Sequence, residues 1–253
     1  QNTAYHISLG LVGSEMCIRD RKYVTLADSY VSVNHALKHA GASINRPVKI
    51  DWIDSETLNG NIETLGKYNG ILVPGGFGTR GSEGIIETAN FARERNIPYL
   101  GICFGFQLAA VSFARNVCNL IDSNSTEIEN KTKNPIIDLL PEQDDVTDLG
   151  GSLRLGANQI EIQENSMAHK IYNSNIISKR HRHRYEFNKK YLESFDKNRM
   201  IFSGETDDGR RMELLEIPSQ KFFLGVQFHP EFNSRPGFPE QTFKAFIAAA
   251  GSD

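Results

Sequence analysis

Cys103 stands in Gly101-Ile-Cys-Phe-Gly105, between a short apolar run, Tyr99–Ile102, and Gln107–Asn116, whose apolar spacing suits a helix. This is the spacing of a nucleophile elbow with sulfur in place of a serine hydroxyl. The glycines permit a strained turn, which lifts the side chain clear of the backbone at a helix N-terminus. There the free amides and the helix dipole favour thiolate over thiol. An inert buried cysteine is the alternative that such a motif leaves open on its own. A cysteine nucleophile needs a base, and the base needs a group that orients it. Gly225-Val-Gln-Phe-His229-Pro-Glu231 offers both. With strand periodicity Glu231 falls on the same face as His229, and Pro230 suits a strand that is ending. A surface histidine near a turn is the plain alternative. Donors for an oxyanion can come from Gly75-Gly76, which follows another apolar run, and from the Phe104 amide beside the sulfur. The glycine run lacks the Lys-Ser/Thr ending of a P-loop and the G-x-G-x-x-G spacing, although a plain tight turn also fits it. The most basic stretch is Lys179-Arg-His-Arg-His-Arg184-Tyr185. One short run in an acidic protein is weak evidence for a nucleic-acid patch or a localisation signal, and a pair of histidine ligands lacks a partner cluster of Cys, His or carboxylate; a cleft that grips a substrate carboxylate fits as well.

These residues need elements to hold them. Ile7–Val12 reads as a strand ending at Gly13, and Val48–Ile53 and Asn69–Pro74 as two more. Asp28 or Ser29 caps a helix with Tyr30, Val33, Leu37 and Ala40 on one face, closing at Gly41. Ser82 opens a second helix with Ile85, Ile86, Ala89 and Ala92 on its apolar side. Alternating strands and helices imply parallel pairing with right-handed crossovers. Beyond Asn116, residues 122–148 are polar and read as a long excursion around the fold. Leu153–Gln163 and His183–Phe187 have strand alternation. Met200–Gly204, Met212–Ile217 and Phe222–Phe228 read as further strands, with a hairpin turn at Asp207-Asp-Gly209. A last helix runs from about Pro239 to Ala250. No repeat or low-complexity linker divides the chain, so one domain over 1–253 is expected. Ser14–Arg21 interrupts the passage from Gly13 to Lys22 and reads as a non-native linker insert, which leaves Cys17 without a role.

At 253 residues, with 39% hydrophobic and 23% charged residues and net charge −3, the chain has the composition of a soluble globule. Nothing in that balance calls for nucleic acid or an anionic membrane. Three scattered cysteines argue against a disulfide framework and for a reducing compartment. No apolar stretch approaches the ~20 residues that span a bilayer. There is no secretory signal, and Gln1 in place of Met makes a fragment the expectation.

Together with Pro74-Gly-Gly-Phe-Gly78, Asn124-Ser-Thr-Glu127, Arg180-His-Arg-His-Arg-Tyr-Glu186, Asp208-Gly-Arg-Arg-Met-Glu213 and Gln227–Pro236, the chain resembles the C-terminal glutaminase domain of CTP synthases, class I (triad) glutamine amidotransferases. The resemblance covers everything but the Ser14–Arg21 segment. It implies a flavodoxin-like α/β fold: a mostly parallel sheet with helices on both faces and a small antiparallel extension. It also implies a Cys103–His229–Glu231 triad, oxyanion donors at Gly76 and Phe104, and a substrate contact at Gln107. Glu127 would hold the α-amino group of L-glutamine and Arg184 its α-carboxylate. No cofactor is expected within this chain. ATP, Mg²⁺ and UTP would belong to a synthetase half preceding it, and GTP would act as an activator near Arg80. A homo-oligomer, by resemblance a tetramer, in the cytoplasm is expected. Phe104 and Phe106 stand where the family has leucine and methionine, Gln220 replaces a histidine, and Pro239-Glu-Gln departs from Pro-x-Pro. Another class I amidotransferase, a γ-glutamyl hydrolase, or a catalytically silent module of the same fold are the alternatives.

Overall fold

The computed structural model describes residues 7–13, 30–58, 60–139, 153–206 and 209–252. The Ser14–Arg21 segment with Cys17, the Asp28/Ser29 cap, the far part of the polar excursion and Asp207-Asp208 lie outside them. Twelve strands are described: β1 Ile7–Gly13, β2 Val48–Asp54, β3 Gly70–Val73, β4 Tyr99–Ile102, β5 Ser123–Ser125, β6 Asn134–Asp138, β7 Arg154–Ile162, β8 Ile176–His183, β9 Glu186–Phe187, β10 Ile201–Thr206, β11 Arg211–Glu216 and β12 Phe223–Val226. Six α-helices accompany them: α1 Val31–Ser43, α2 Ser82–Glu94, α3 Phe104–Asn116, α4 Met167–Tyr172, α5 Leu192–Lys197 and α6 Gln241–Ala250.

Nine strands form one sheet in the order β2-β1-β3-β4-β12-β11-β10-β7-β8. From β2 to β12 every neighbouring pair is parallel, as the strand–helix alternation requires. From β12 onward the pairs are antiparallel, so the extension runs to four strands. Strand alternation divides the apolar side chains between two cores. Ile71, Val73, Tyr99, Leu215 and Phe223 pack with α2 and α3 on one face. Leu9, Leu11, Leu72, Leu100, Leu214 and Leu224 pack with α1 and α6 on the other. Burying both faces accounts for strands that are apolar throughout rather than alternating: β3, β4 and β12 are buried at every position.

Several boundaries differ from the sequence expectation. α1 continues two residues past Gly41. The polar excursion is not all loop, because β5 and β6 join β9 in a separate three-stranded sheet. The strand expected at His183–Phe187 is in fact two strands: β8 starts at Ile176 and ends at His183, and β9 is only Glu186–Phe187. The basic run therefore lies mostly inside a strand. Its odd-numbered members Lys179, His181 and His183 are buried, while Arg180 and Arg182 are exposed. The antiparallel half curls over the end of the parallel half. The His229 N–H, just beyond β12, donates to the Arg180 carbonyl of β8 at 2.8 Å, although three strands separate β8 from β12 in the sheet. No helix of the described residues is long and apolar enough to cross a membrane.

Candidate active site

β4 delivers Cys103 to the carboxyl edge of the sheet, and α3 begins at Phe104 without an intervening loop. Cys103 has φ 51° and ψ −98°, a conformation that costs a non-glycine residue free energy and that the surroundings must enforce. Two glycines make it possible by close approach. A Cβ on Gly101 would lie 2.7 Å from the Gly105 carbonyl, and one on Gly105 would lie 2.3 Å from the Val73 carbonyl of β3. The Tyr99 hydroxyl, donating to the Gly105 carbonyl at 3.0 Å, ties the far side of the elbow down.

His229 arrives from the neighbouring strand. β12 pairs with β4 in register, Gly225 beside Gly101 and Val226 beside Ile102. Both strands leave the sheet at the same edge, which sets the imidazole beside Cys103, close enough for the sulfur to act on its pKa. Its Nδ1 lies 2.7 Å from Glu231 Oε1. Glu231 reaches this position by a route other than strand alternation, because Pro230–Asn233 is a turn of 3-10 helix that swings the carboxylate back under the ring. Burial alone would lower the His229 pKa. The sulfur of Cys103, through its charge and hydrogen bond, and the Glu231 carboxylate outweigh burial and raise it from 6.5 to about 10. An imidazole so placed takes the thiol proton and keeps it as imidazolium, ready for a leaving group.

The Gly75–Gly78 turn covers the pair. A Cβ on Gly75 would come 2.8 Å from His229 Cε1 and 3.5 Å from Cys103 Cβ, so only glycine lets the loop pass this close. Gly76 packs against the Phe104 side chain, with a Cβ there 3.4 Å from the ring. The loop is held from outside: Gly78 N–H donates to Glu127 Oε1 at 2.9 Å. Burial raises the Glu127 carboxyl above its ordinary range, while the Gly78 hydrogen bond and the Arg184 charge work against that rise. Arg184 turns in just after β8, and its Nε is buried without a hydrogen-bond partner among the described residues. Arg80 at the outer end of the loop is bound to Glu56, its Nε 2.8 Å from Oε2. Gln107 sits one turn into α3, buried, with its amide donating to the Tyr185 carbonyl at 3.0 Å and to Gln227 Oε1 at 3.3 Å.

Behind the site lies a buried ionic cluster that sequence inspection missed. His181 Nε2 is 2.8 Å from Glu213 Oε2, and the Arg154 guanidinium contacts the other oxygen of the same carboxylate. Burial pushes the Glu213 carboxyl up, but the His181 hydrogen bond and the Arg154 charge prevail and hold it below the usual carboxylate range. His183, buried beside them, has its pKa lowered to about 3, by burial first and then by the charges of His181 and Arg154. The donor atoms of His181, His183 and Glu213 lie within 4.8 Å of one another. Arg154 supplies positive charge to the Glu213 carboxylate, which makes the pair a buried ion pair. The signal for it was the alternation of His and Arg in the basic run, which sends one residue type inward and the other outward.

The sequence model of the family described as glutamine amidotransferase class-I matches residues 25–249. A CTP synthase from Staphylococcus saprophyticus is 53% identical over 246 residues, covering 96% of this chain and 44% of the relative. One from Archaeoglobus fulgidus is 48% identical over 229 residues, 90% of this chain and 43% of the relative. The chain thus spans less than half the length of the curated relatives it matches. Among solved structures, the glutaminase domain of Trypanosoma brucei CTPS with bound acivicin superposes with a TM-score of 0.87 at 37% identity, covering 96% of this chain and 93% of that one. A glutamine amidotransferase from Thermotoga maritima, at 12% identity and a TM-score of 0.56, shares the fold. With the elbow, the paired imidazole and the sheet order already in place, these likenesses show that the chain belongs to the class I glutamine amidotransferases and, within them, to the glutaminase domains of CTP synthases.

Proposed function

We propose that this chain is the glutaminase unit of a CTP synthase and hydrolyses L-glutamine to glutamate and ammonia through a thioester on Cys103. The observation that carries the proposal is the convergence of Cys103, His229 and Glu231 from the ends of two registered neighbouring strands. The Cys103 sulfur attacks the side-chain amide carbon, and the resulting oxyanion is received by the Gly76 and Phe104 N–H groups. His229 passes its proton to the departing ammonia. It then takes a proton from the water that cleaves the thioester. Glu127 and Arg184 present opposite charges at one corner of the cleft, which suits the α-amino and α-carboxylate groups of an amino acid. Gln107, one turn into α3, would meet the substrate from that helix.

No cofactor enters this chemistry. ATP, Mg²⁺ and UTP belong to a synthetase half of the same polypeptide, where the ammonia aminates UTP to CTP; the larger size of the relatives supports such a half. GTP would act near the outer end of the glycine loop, and Arg80 would have to exchange its Glu56 contact to meet it. A cytoplasmic homo-oligomer with no nucleic-acid or membrane partner completes the proposal. Glutamate release from glutamine tests it: Cys103→Ala and Cys103→Ser should abolish turnover. Turnover at the wild-type rate in either variant would remove Cys103 as nucleophile.

A further inference from the structure

Gln227 is fully buried between α3 and β12, and neither the triad nor the substrate contacts use it. Its Nε2 lies 3.8 Å from the Cys103 sulfur, within hydrogen-bond reach for that atom. Which end of the amide faces the sulfur follows from a chain of neighbours. The Tyr185 carbonyl only accepts, so Gln107 must present its NH₂ there, at 3.0 Å. The same NH₂ donates to Gln227 Oε1 at 3.3 Å. With its oxygen occupied, Gln227 has only its NH₂ to offer Cys103. The other neutral group near the sulfur works in the opposite sense. The Arg182 carbonyl, 3.9 Å away, accepts from a thiol but can only repel a thiolate.

We propose that Gln227 is a catalytic residue: its amide N–H donates to the Cys103 sulfur and stabilises the attacking thiolate, held in that orientation by a relay running from the Tyr185 carbonyl through Gln107. The proton balance is simple. The thiol proton passes from sulfur to His229, the Arg182 carbonyl loses its donor, and the Gln227 N–H strengthens against the new charge without itself transferring a proton. Gln107 and Gln227 are both buried, so bulk solvent has little access to replace a missing donor. The proposal rests on Cys103 being the nucleophile of the glutaminase reaction.

The test is the pH dependence of iodoacetamide alkylation at Cys103 in the intact protein, resolved by peptide mass spectrometry so that the other cysteines do not contribute. Gln227→Met keeps the length and removes the donor. Gln227→Glu keeps the shape and sets a carboxylate against the sulfur. With folding verified by circular dichroism, Gln227→Met should alkylate about tenfold more slowly at neutral pH, the scale of one hydrogen bond to a charged acceptor. Its pH midpoint should move upward, and kcat for glutamine should fall while KM stays near wild type. Gln227→Glu should move the midpoint further and decides the matter if the methionine variant does not fold. A folded variant with the wild-type alkylation profile overturns the proposal, and so does a uniform rate loss with no shift in midpoint. Alkylation reads the sulfur directly, so a failure of the nucleophile assignment, visible as turnover in Cys103→Ser, is distinguishable from a failure of Gln227.

Discussion

Arg184 has its guanidinium Nε buried without a hydrogen-bond partner among the described residues, close enough to Glu127 for its charge to be felt there. A cation in that state is costly unless an anion arrives, and the glutamine α-carboxylate supplies one. Arg184→Ala should therefore raise KM for glutamine roughly ten- to a hundredfold, the worth of a hydrogen-bonded charge pair, with a much smaller change in kcat. Steady-state kinetics decides it, and an unchanged KM would take Arg184 out of the substrate site. At this scale the sequence was partly legible. Cys103, His229 and Glu231 could be singled out because nucleophile, base and carboxylate come in fixed combinations. Gln227 could not, since an amide two residues before a histidine has no chemistry of its own until a sulfur is seen beside it.

The elbow is where strand and helix meet under constraint, and β3 is a party to it. Gly105→Ala would drive a Cβ to 2.3 Å from the Val73 carbonyl, a backbone atom that cannot rotate away. The expected result is a loss of about 1–3 kcal/mol of stability from overpacking, together with a larger loss of turnover as Cys103 is displaced. Thermal melts alongside kinetics distinguish that outcome from a benign substitution. The strand–helix alternation up to Asn116 was readable because buried parallel strands are continuous apolar runs. The later elements were harder. Antiparallel strands that alternate buried and exposed residues, such as β8, have no such run, and the register that makes His229 a neighbour of Cys103 is a long-range pairing without local trace. The Glu231 contact was anticipated through strand alternation, but the turn of 3-10 helix starting at Pro230 achieves it.

Across the molecule, the Arg154–Glu213–His181 cluster fastens β7, β11 and β8 together behind the site. Glu213→Gln would leave Arg154 with the more distant Glu186 carboxylate, at 3.7 Å, as its charge partner in the interior, at a cost of about 1–3 kcal/mol at neutral pH. Glu213 titrates below its ordinary value of 4.5 in the folded state, so its contribution is present above that value and is lost as the pH falls through the lower, folded one. His183, neutral in the fold with a pKa of about 3, adds a decline that sets in as the pH drops below 6.5. His229 has the opposite sign: its contribution is complete below 6.5 and is lost as the pH rises through about 10. Denaturant midpoints measured from acid to alkali should trace a plateau bounded on both sides. The gap between wild type and Glu213→Gln should narrow towards acid, and a gap independent of pH would contradict the charge assignment.

The curl that brings β8 back to His229 has one more effect. A terminal strand ordinarily offers an open row of amides and carbonyls on which another chain can add and start an aggregate. Here the Arg180 carbonyl is already engaged by His229, and the exposed Arg180 and Arg182 side chains crowd the approach with like charge. At the opposite margin, β2 carries the exposed Lys49 paired with the half-buried Asp51. The bend that builds the reaction centre thus also guards one rim of the sheet against self-association.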